Sequence, residues 1–239
     1  MKEIFQKSWF EIPFSSLEIP CSSKRLAGQD FYSAFYDKFF ESYTNYSELP
    51  ISWLNFKNEI VEHLLSLIEK NDSILSIGSG IGYIENELIL KSSELEIIAI
   101  EPNVANMMDW MNSKVKFLNG YFPQVLETSN SSKFNFVFSS SIDYVFNDEE
   151  YIRFLKSVVD FGIKDYFITE IFLDNCSKVW KIKHFIKSSL DALGLRDLGQ
   201  FWGYLRTYDE HINLLKRSGF NHFHSGRYNH GACWIRAMV

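Results

Sequence analysis

The 239-residue chain has no apolar run approaching the roughly 20 residues a membrane helix needs, so no spanning helix is expected. It also has no dense cationic cluster. Its 24 Lys and Arg are spread against 30 Asp and Glu, for a net charge of −6. Nucleic-acid binding draws on counterion release by a basic face, and nothing here provides one. Cysteine is scarce: Cys21, Cys176 and Cys233 are far apart and odd in number, which suits neither a disulfide framework nor a zinc site. Met1–Lys7 carries scattered charge and no apolar core, so no export signal is expected and the compartment reads as cytoplasm. There are no internal repeats and no low-complexity tracts. The length suits one domain with a full core.

Aromatic residues are abundant, at 17% with 22 Phe. Most are expected in the core, because aromatic side chains bury large areas, and some are available to line a pocket. Four short apolar runs, Ser73–Ile77, Glu96–Ile100, Phe134–Ser139 and Tyr166–Ile171, each precede a segment with helical signals. A weaker strand, Val115–Leu118, lies among them. That alternation predicts a parallel sheet covered by helices on both faces. A helix over Trp53–Glu69 is expected to bury Ile60, Leu64, Leu67 and Ile68. Thr207 and Glu210 have the spacing of a capping box, and the helix after them is expected to stop at Ser218-Gly219. Asn221–Arg227 and Ala232–Met238 then read as an antiparallel hairpin. Residues 1–52, dense in Phe and Tyr, precede this scheme as a lid segment, and 53–239 form the main domain with an insertion at 174–206.

The chemistry concentrates between Ile74 and Glu101. The first strand runs into Gly78-Ser79-Gly80-Ile81-Gly82 and a helix over Tyr83–Leu90. Glycines permit a tight strand-to-helix turn against which a ligand can lie, and the helix start adds free amides and a positive dipole end. Glu101, at the tip of the next strand, is placed to accept hydrogen bonds from both hydroxyls of a ribose. In a dinucleotide-binding turn the third glycine would fall at Tyr83, but here it comes one place earlier.

This pattern resembles motif I of the class I (Rossmann-like) S-adenosylmethionine-dependent methyltransferases, whose fold is a seven-stranded, mostly parallel α/β sheet with an antiparallel C-terminal hairpin. Val115–Pro123 looks like the family's third strand and adenine loop, and Phe136–Val145 like its fourth strand and following turn. The resemblance implies S-adenosylmethionine as methyl donor and S-adenosylhomocysteine as product, with Gly78, Ser79, Gly80, Gly82, Glu101, Pro102, Tyr121, Phe122 and Ser140 around them. It implies transfer to an O or N atom of a small polar metabolite or sugar derivative, with no metal. Tyr36 in the lid, Tyr144, Trp202, Tyr204 and the potential anion receptor Arg206 are candidates for the acceptor pocket. His184, one helical turn after Trp180, is the candidate general base. His63 is expected to be structural, and His211, His222, His224 and His230 are expected at the surface. The family's usual motif I acid is Ser76 here, the adenine-loop acid is Tyr121, and a frequent His is Tyr144. Two other classes stay open: a nucleoside-binding protein without turnover, and an NAD(P)-dependent oxidoreductase. A monomer or homodimer is expected, with a small-molecule acceptor and no nucleic-acid or membrane partner.

Overall fold

The computed structural model describes residues 2–103, 110, 112–127, 134–173 and 197–239. In chain order the elements are β1 (Lys2–Gln6), β2 (Ser8–Trp9), β3 (Ile12–Pro13), α1 (Gln29–Ser42), α2 (Ile51–Leu67), β4 (Ser73–Ile77), α3 (Tyr83–Lys91), β5 (Glu96–Glu101) and β6 (Val115–Asn119). They continue with α4 (Gln124–Glu127), β7 (Phe136–Ser140), α5 (Asp148–Asp160), β8 (Asp165–Ile171), β9 (Gln200–Leu205), α6 (Tyr208–Arg217), β10 (His222–Arg227) and β11 (Cys233–Met238). Among the described residues no helix is long and apolar enough to cross a membrane.

Seven strands form one sheet in the order β10-β11-β8-β7-β4-β5-β6. The pairs β4–β5, β5–β6, β4–β7 and β7–β8 are parallel, whereas β11 runs antiparallel to both β8 and β10. The doubly covered sheet and its terminal hairpin are therefore as the sequence predicts. Successive β4 side chains go to opposite faces, as a strand's period of two requires. Ile74 packs with Ile60, Val61 and Leu64 of α2 and Leu88 of α3, while Leu75 packs with Leu155 of α5 and Leu215 of α6.

The helix starts follow their caps. Thr207 and Glu210 make the expected reciprocal capping box at α6, and Asn147 with Glu150 makes a second one at α5, where Asp148 and Glu149 add acids favourable to the helix dipole. His211 is a correction. It is fully buried rather than exposed, because it shares the inward stripe of α6 with Leu214 and Leu215 at helical spacing. His63 is structural as expected, packed on Trp234 at 4.9 Å with Nδ1 3.2 Å from the Tyr228 hydroxyl. His222, His224 and His230 are exposed.

The N-terminal residues build a third, aromatic core. Phe14, Phe31, Phe35, Tyr36 and Phe39 are buried together with Trp202 and with Tyr83 at the start of α3. This layer is tied down by a pairing that nothing in the sequence announced: β1 lies antiparallel to β9, with Lys2 opposite Leu205 and Gln6 opposite Gln200.

Candidate cofactor and acceptor site

A cavity of about 1310 Å³ opens at the C-terminal ends of β4, β5, β7 and β8. In the sheet β4 has β5 on one side and β7 on the other, so the chain changes direction there, and ligands of open α/β sheets bind at such a switch point. Gly78, Ser79, Gly80, Glu101, Pro102, Tyr121 and Phe122 line one end. Tyr36, Ser140, Tyr144 and Trp202 line the rest, with Lys57 and Glu170.

The glycine loop folds back on β5 through the amides of Gly78 and Ser79, which both donate to the Ile100 carbonyl, at 2.9 and 3.2 Å. Gly78 has φ +73°, and a Cβ there would collide with Ile142. Gly80 has φ +57°, and a Cβ there would lie 3.6 Å from the Tyr36 hydroxyl. Helix α1 thus closes directly over the loop. Tyr46 adds a second fastening, its hydroxyl donating to the Ile81 carbonyl at 2.8 Å.

Glu101 is buried and accepts from the Gly80 amide at 3.0 Å and from Asn103 N and Nδ2 at 3.2 Å each. Burial pushes its carboxyl up to about 7, against the pull of those hydrogen bonds. Ser76 occupies the position where an acid was missed, and its hydroxyl donates to Glu85 of α3. Glu85 Oε2 has no partner among the described residues, and burial raises this carboxyl to about 7 as well. An acid thus reaches the base of the loop from the helix instead of the strand. Glu85 was legible only in the run Tyr83–Lys91, where an acid sits among the buried Ile84, Leu88 and Ile89.

The other predicted residues fall into different settings. Tyr121 is exposed and donates to Gln29 Oε1 at 3.2 Å, so its ring bridges the adenine-loop position to the start of α1. Phe122 packs inward on Phe154 and Phe161. Tyr144 stacks on Trp202, with 6.1 Å between centroids and a 13° interplanar angle, and its hydroxyl is 3.3 Å from that of Tyr32. Trp202 stacks in turn on Phe14. His184 lies outside the described residues.

Arg206 and Tyr204 are corrections. Arg206 is fully buried and is not part of the cavity wall. Its guanidinium donates to Asp148 Oδ1 at 2.9 Å, to the Asp143 carbonyl at 2.8 Å and to the Phe146 carbonyl at 2.6 Å, and it sits over the Tyr151 ring. A planar fork of donors fits a turn rich in free carbonyls, so this arginine fastens the 143–148 turn to the end of β9. Tyr204 stands opposite Glu3 of β1 and packs edge-on against Phe201, outside the wall.

Sequence reasoning missed the ion pair of Lys57 and Glu170, whose side chains come from α2 and β8 and meet inside the cavity. Ser140, expected against the cofactor, donates to Glu170 Oε2 at 2.7 Å. Among the described residues no three His, Cys, Asp or Glu side chains gather as metal ligands.

No protein-family model matches the chain, and no curated protein sequence matches it. Solved structures do. Human N-acetylserotonin methyltransferase in complex with S-adenosylmethionine superposes with a TM-score of 0.59 at 16% identity, over 88% of this chain and 56% of that one. The pyocyanin biosynthetic protein PhzM gives 0.55 at 16% identity, over 76% and 54%. PigF with S-adenosylhomocysteine gives 0.59 at 11% identity, over 89% and 60%. The chain thus spans somewhat more than half the length of these proteins. Sheet order, terminal hairpin and superposition agree, and the chain has the fold of the class I S-adenosylmethionine-dependent methyltransferases.

Proposed function

We propose that the chain transfers a methyl group from S-adenosylmethionine to a small-molecule acceptor held in the same cavity. The observation that carries this reading is Glu101: a buried carboxylate at the tip of β5, bonded to the Gly80 amide across the switch point, where a nucleoside ribose needs an acceptor. The donor set suits that ligand. Glu101 takes the ribose hydroxyls, the Gly78–Gly80 backbone leaves room for close approach, and Pro102, Tyr121 and Phe122 flank the base. Tyr36 covers the loop and excludes water. S-adenosylmethionine supplies a methyl group already activated on sulfur, so the chain's task is to position an acceptor and take up any proton it releases.

The acceptor end is walled by Trp53, Tyr144, Phe172 and Trp202, which suits a ring better than the polar metabolite or sugar read from sequence. We further propose action in the cytoplasm without a metal, as a monomer or homodimer. A nucleoside-binding role without turnover is the second reading. Tyr144 favours it, standing where the resembled family often has His and engaged with Tyr32.

Calorimetric titration with S-adenosylmethionine and S-adenosylhomocysteine tests the proposal, with one-to-one binding of both expected. Absence of heat with either ligand overturns it, and binding without methyl transfer to any of a panel of aromatic alcohols supports the second reading.

A further inference from the structure

Lys57 and Glu170 form a buried ion pair in the cavity, and its remaining valences define a ligand. Lys57 and Glu170 are 9% and 7% exposed and line the cavity wall. Ser140 Oγ lies 3.4 Å from Lys57 Nζ, and the ammonium sits 5.3 Å from the Trp53 ring centroid. As a packing device such a pair is a poor choice, because mutual attraction seldom outweighs the lost hydration of both ions. Glu170 also holds φ at +60°, a left-handed conformation that a non-glycine residue keeps only when its surroundings impose it. Backbone strain of this kind gathers at ligand sites.

An ammonium has three N–H donors, and the Glu170 and Ser140 contacts use two of them. Among the described residues, both hydrogen bonds to Glu170 fall on Oε2, which leaves Oε1 its lone pairs. The pair therefore offers the cavity one charged donor beside one charged acceptor, with the rings of Trp53, Phe56, Tyr144 and Phe172 on the same wall.

We propose that Lys57 and Glu170 clamp the hydroxyl of an aromatic acceptor, which donates to Glu170 Oε1 and accepts from Lys57 Nζ. This rests on the methyl-transfer reading above. One oxygen lone pair takes the Lys57 hydrogen bond and the other attacks the methyl carbon. The C–O bond forms as the C–S bond breaks, the C–S electron pair stays on sulfur, and the hydroxyl proton passes to Glu170. Lys57 meanwhile stabilises the charge that develops on oxygen. A neutral amine has a single lone pair, and giving it to Lys57 leaves none for attack, so the clamp selects oxygen over nitrogen. The cavity, at about 1310 Å³, exceeds the roughly 300–1,000 Å³ of an ordinary ligand pocket and leaves room for both cofactor and ring.

The test uses the full chain saturated with S-adenosylhomocysteine and titrated with 2-naphthol or with 2-methoxynaphthalene, which has the same rings but no hydroxyl proton. The wild type is expected to prefer 2-naphthol by about tenfold or more, the worth of one charge-assisted hydrogen bond. Lys57→Met/Glu170→Leu, which removes both partners of the pair together, is expected to keep the fold by circular dichroism and to abolish that preference while leaving S-adenosylhomocysteine affinity unchanged. Glu170→Gln is expected to bind 2-naphthol yet lose about 100-fold in its methylation. Equal affinity of the wild type for the two probes overturns the clamp, as does a preference that survives in the double variant. Weakened S-adenosylhomocysteine binding by the double variant also overturns it, by placing the pair against the cofactor. A wild type that binds no S-adenosylhomocysteine is a separate result: it overturns the methyl-transfer reading, and the clamp falls with it.

Discussion

The two ends of the cavity are built by different means. The proposed cofactor end is made largely from backbone, most of it from one contiguous stretch, Ile74–Glu101, with two strand tips, a glycine turn, a helix start and one carboxylate, and Pro102, Tyr121 and Phe122 beside it. The proposed acceptor end is made from side chains of segments far apart in the chain: Lys57 of α2, Ser140 at the end of β7, Tyr144 after it, Glu170 of β8 and Trp202 of β9. A backbone-built site tolerates little change because its shape is the path of the chain itself. A side-chain-built site can change its ligand by substitution, but each of its buried polar members depends on a partner.

That contrast breaks down unless the two ends respond differently to mutation. The largest effect is expected from Lys57→Met, which leaves Glu170 buried and unpaired. Stability should fall by about 3–5 kcal/mol in urea unfolding, and Lys57→Met/Glu170→Leu should recover most of it. Arg206→Met comes next. It strands the Asp143 and Phe146 carbonyls, at about 1–3 kcal/mol each, with S-adenosylhomocysteine affinity little changed in calorimetry. Gly80→Val puts a branched side chain at φ +57° beneath Tyr36, and its expected signature is the reverse: affinity for S-adenosylhomocysteine lower by about 100-fold, with a smaller loss of stability.

The smallest effect is electrostatic. Glu101 has its carboxyl raised to about 7 by burial, and ribose hydroxyls bind best to its ionised form. Binding therefore releases a proton. Affinity should rise with pH from 6 to 8 and level off once Glu101 is ionised in the free protein. Glu101→Gln should weaken binding by about tenfold at pH 8 and flatten that profile. A profile unchanged by the substitution would assign the titration to another group, for which buried Glu85, also raised to about 7, is the candidate.

The same contrast explains what the sequence made legible. Local patterns encode local structure: the Thr207–Glu210 cap, the terminal hairpin and the Gly78–Glu101 unit are each short stretches whose spacing has a geometric meaning, and each stands where it was read. Pairings between distant segments carry no such spacing. Nothing near Lys57 marks Glu170, and nothing near Lys2 marks Leu205. Arg206 misled for the same reason. Its guanidinium suits an external anion and three internal acceptors equally well, and only the fold supplies the 143–148 turn that takes it. His211 misled because an imidazole after a capping box reads as polar surface, whereas the helix turns it inward onto Asp143.

The most direct test of the whole arrangement is a parallel calorimetric titration of S-adenosylhomocysteine into the wild type and Gly80→Val. One-to-one binding by the wild type and a loss of about 100-fold in the variant are expected, since the ligand must lie against the backbone that Gly80 leaves open. No binding by the wild type, or equal binding by both proteins, would contradict it.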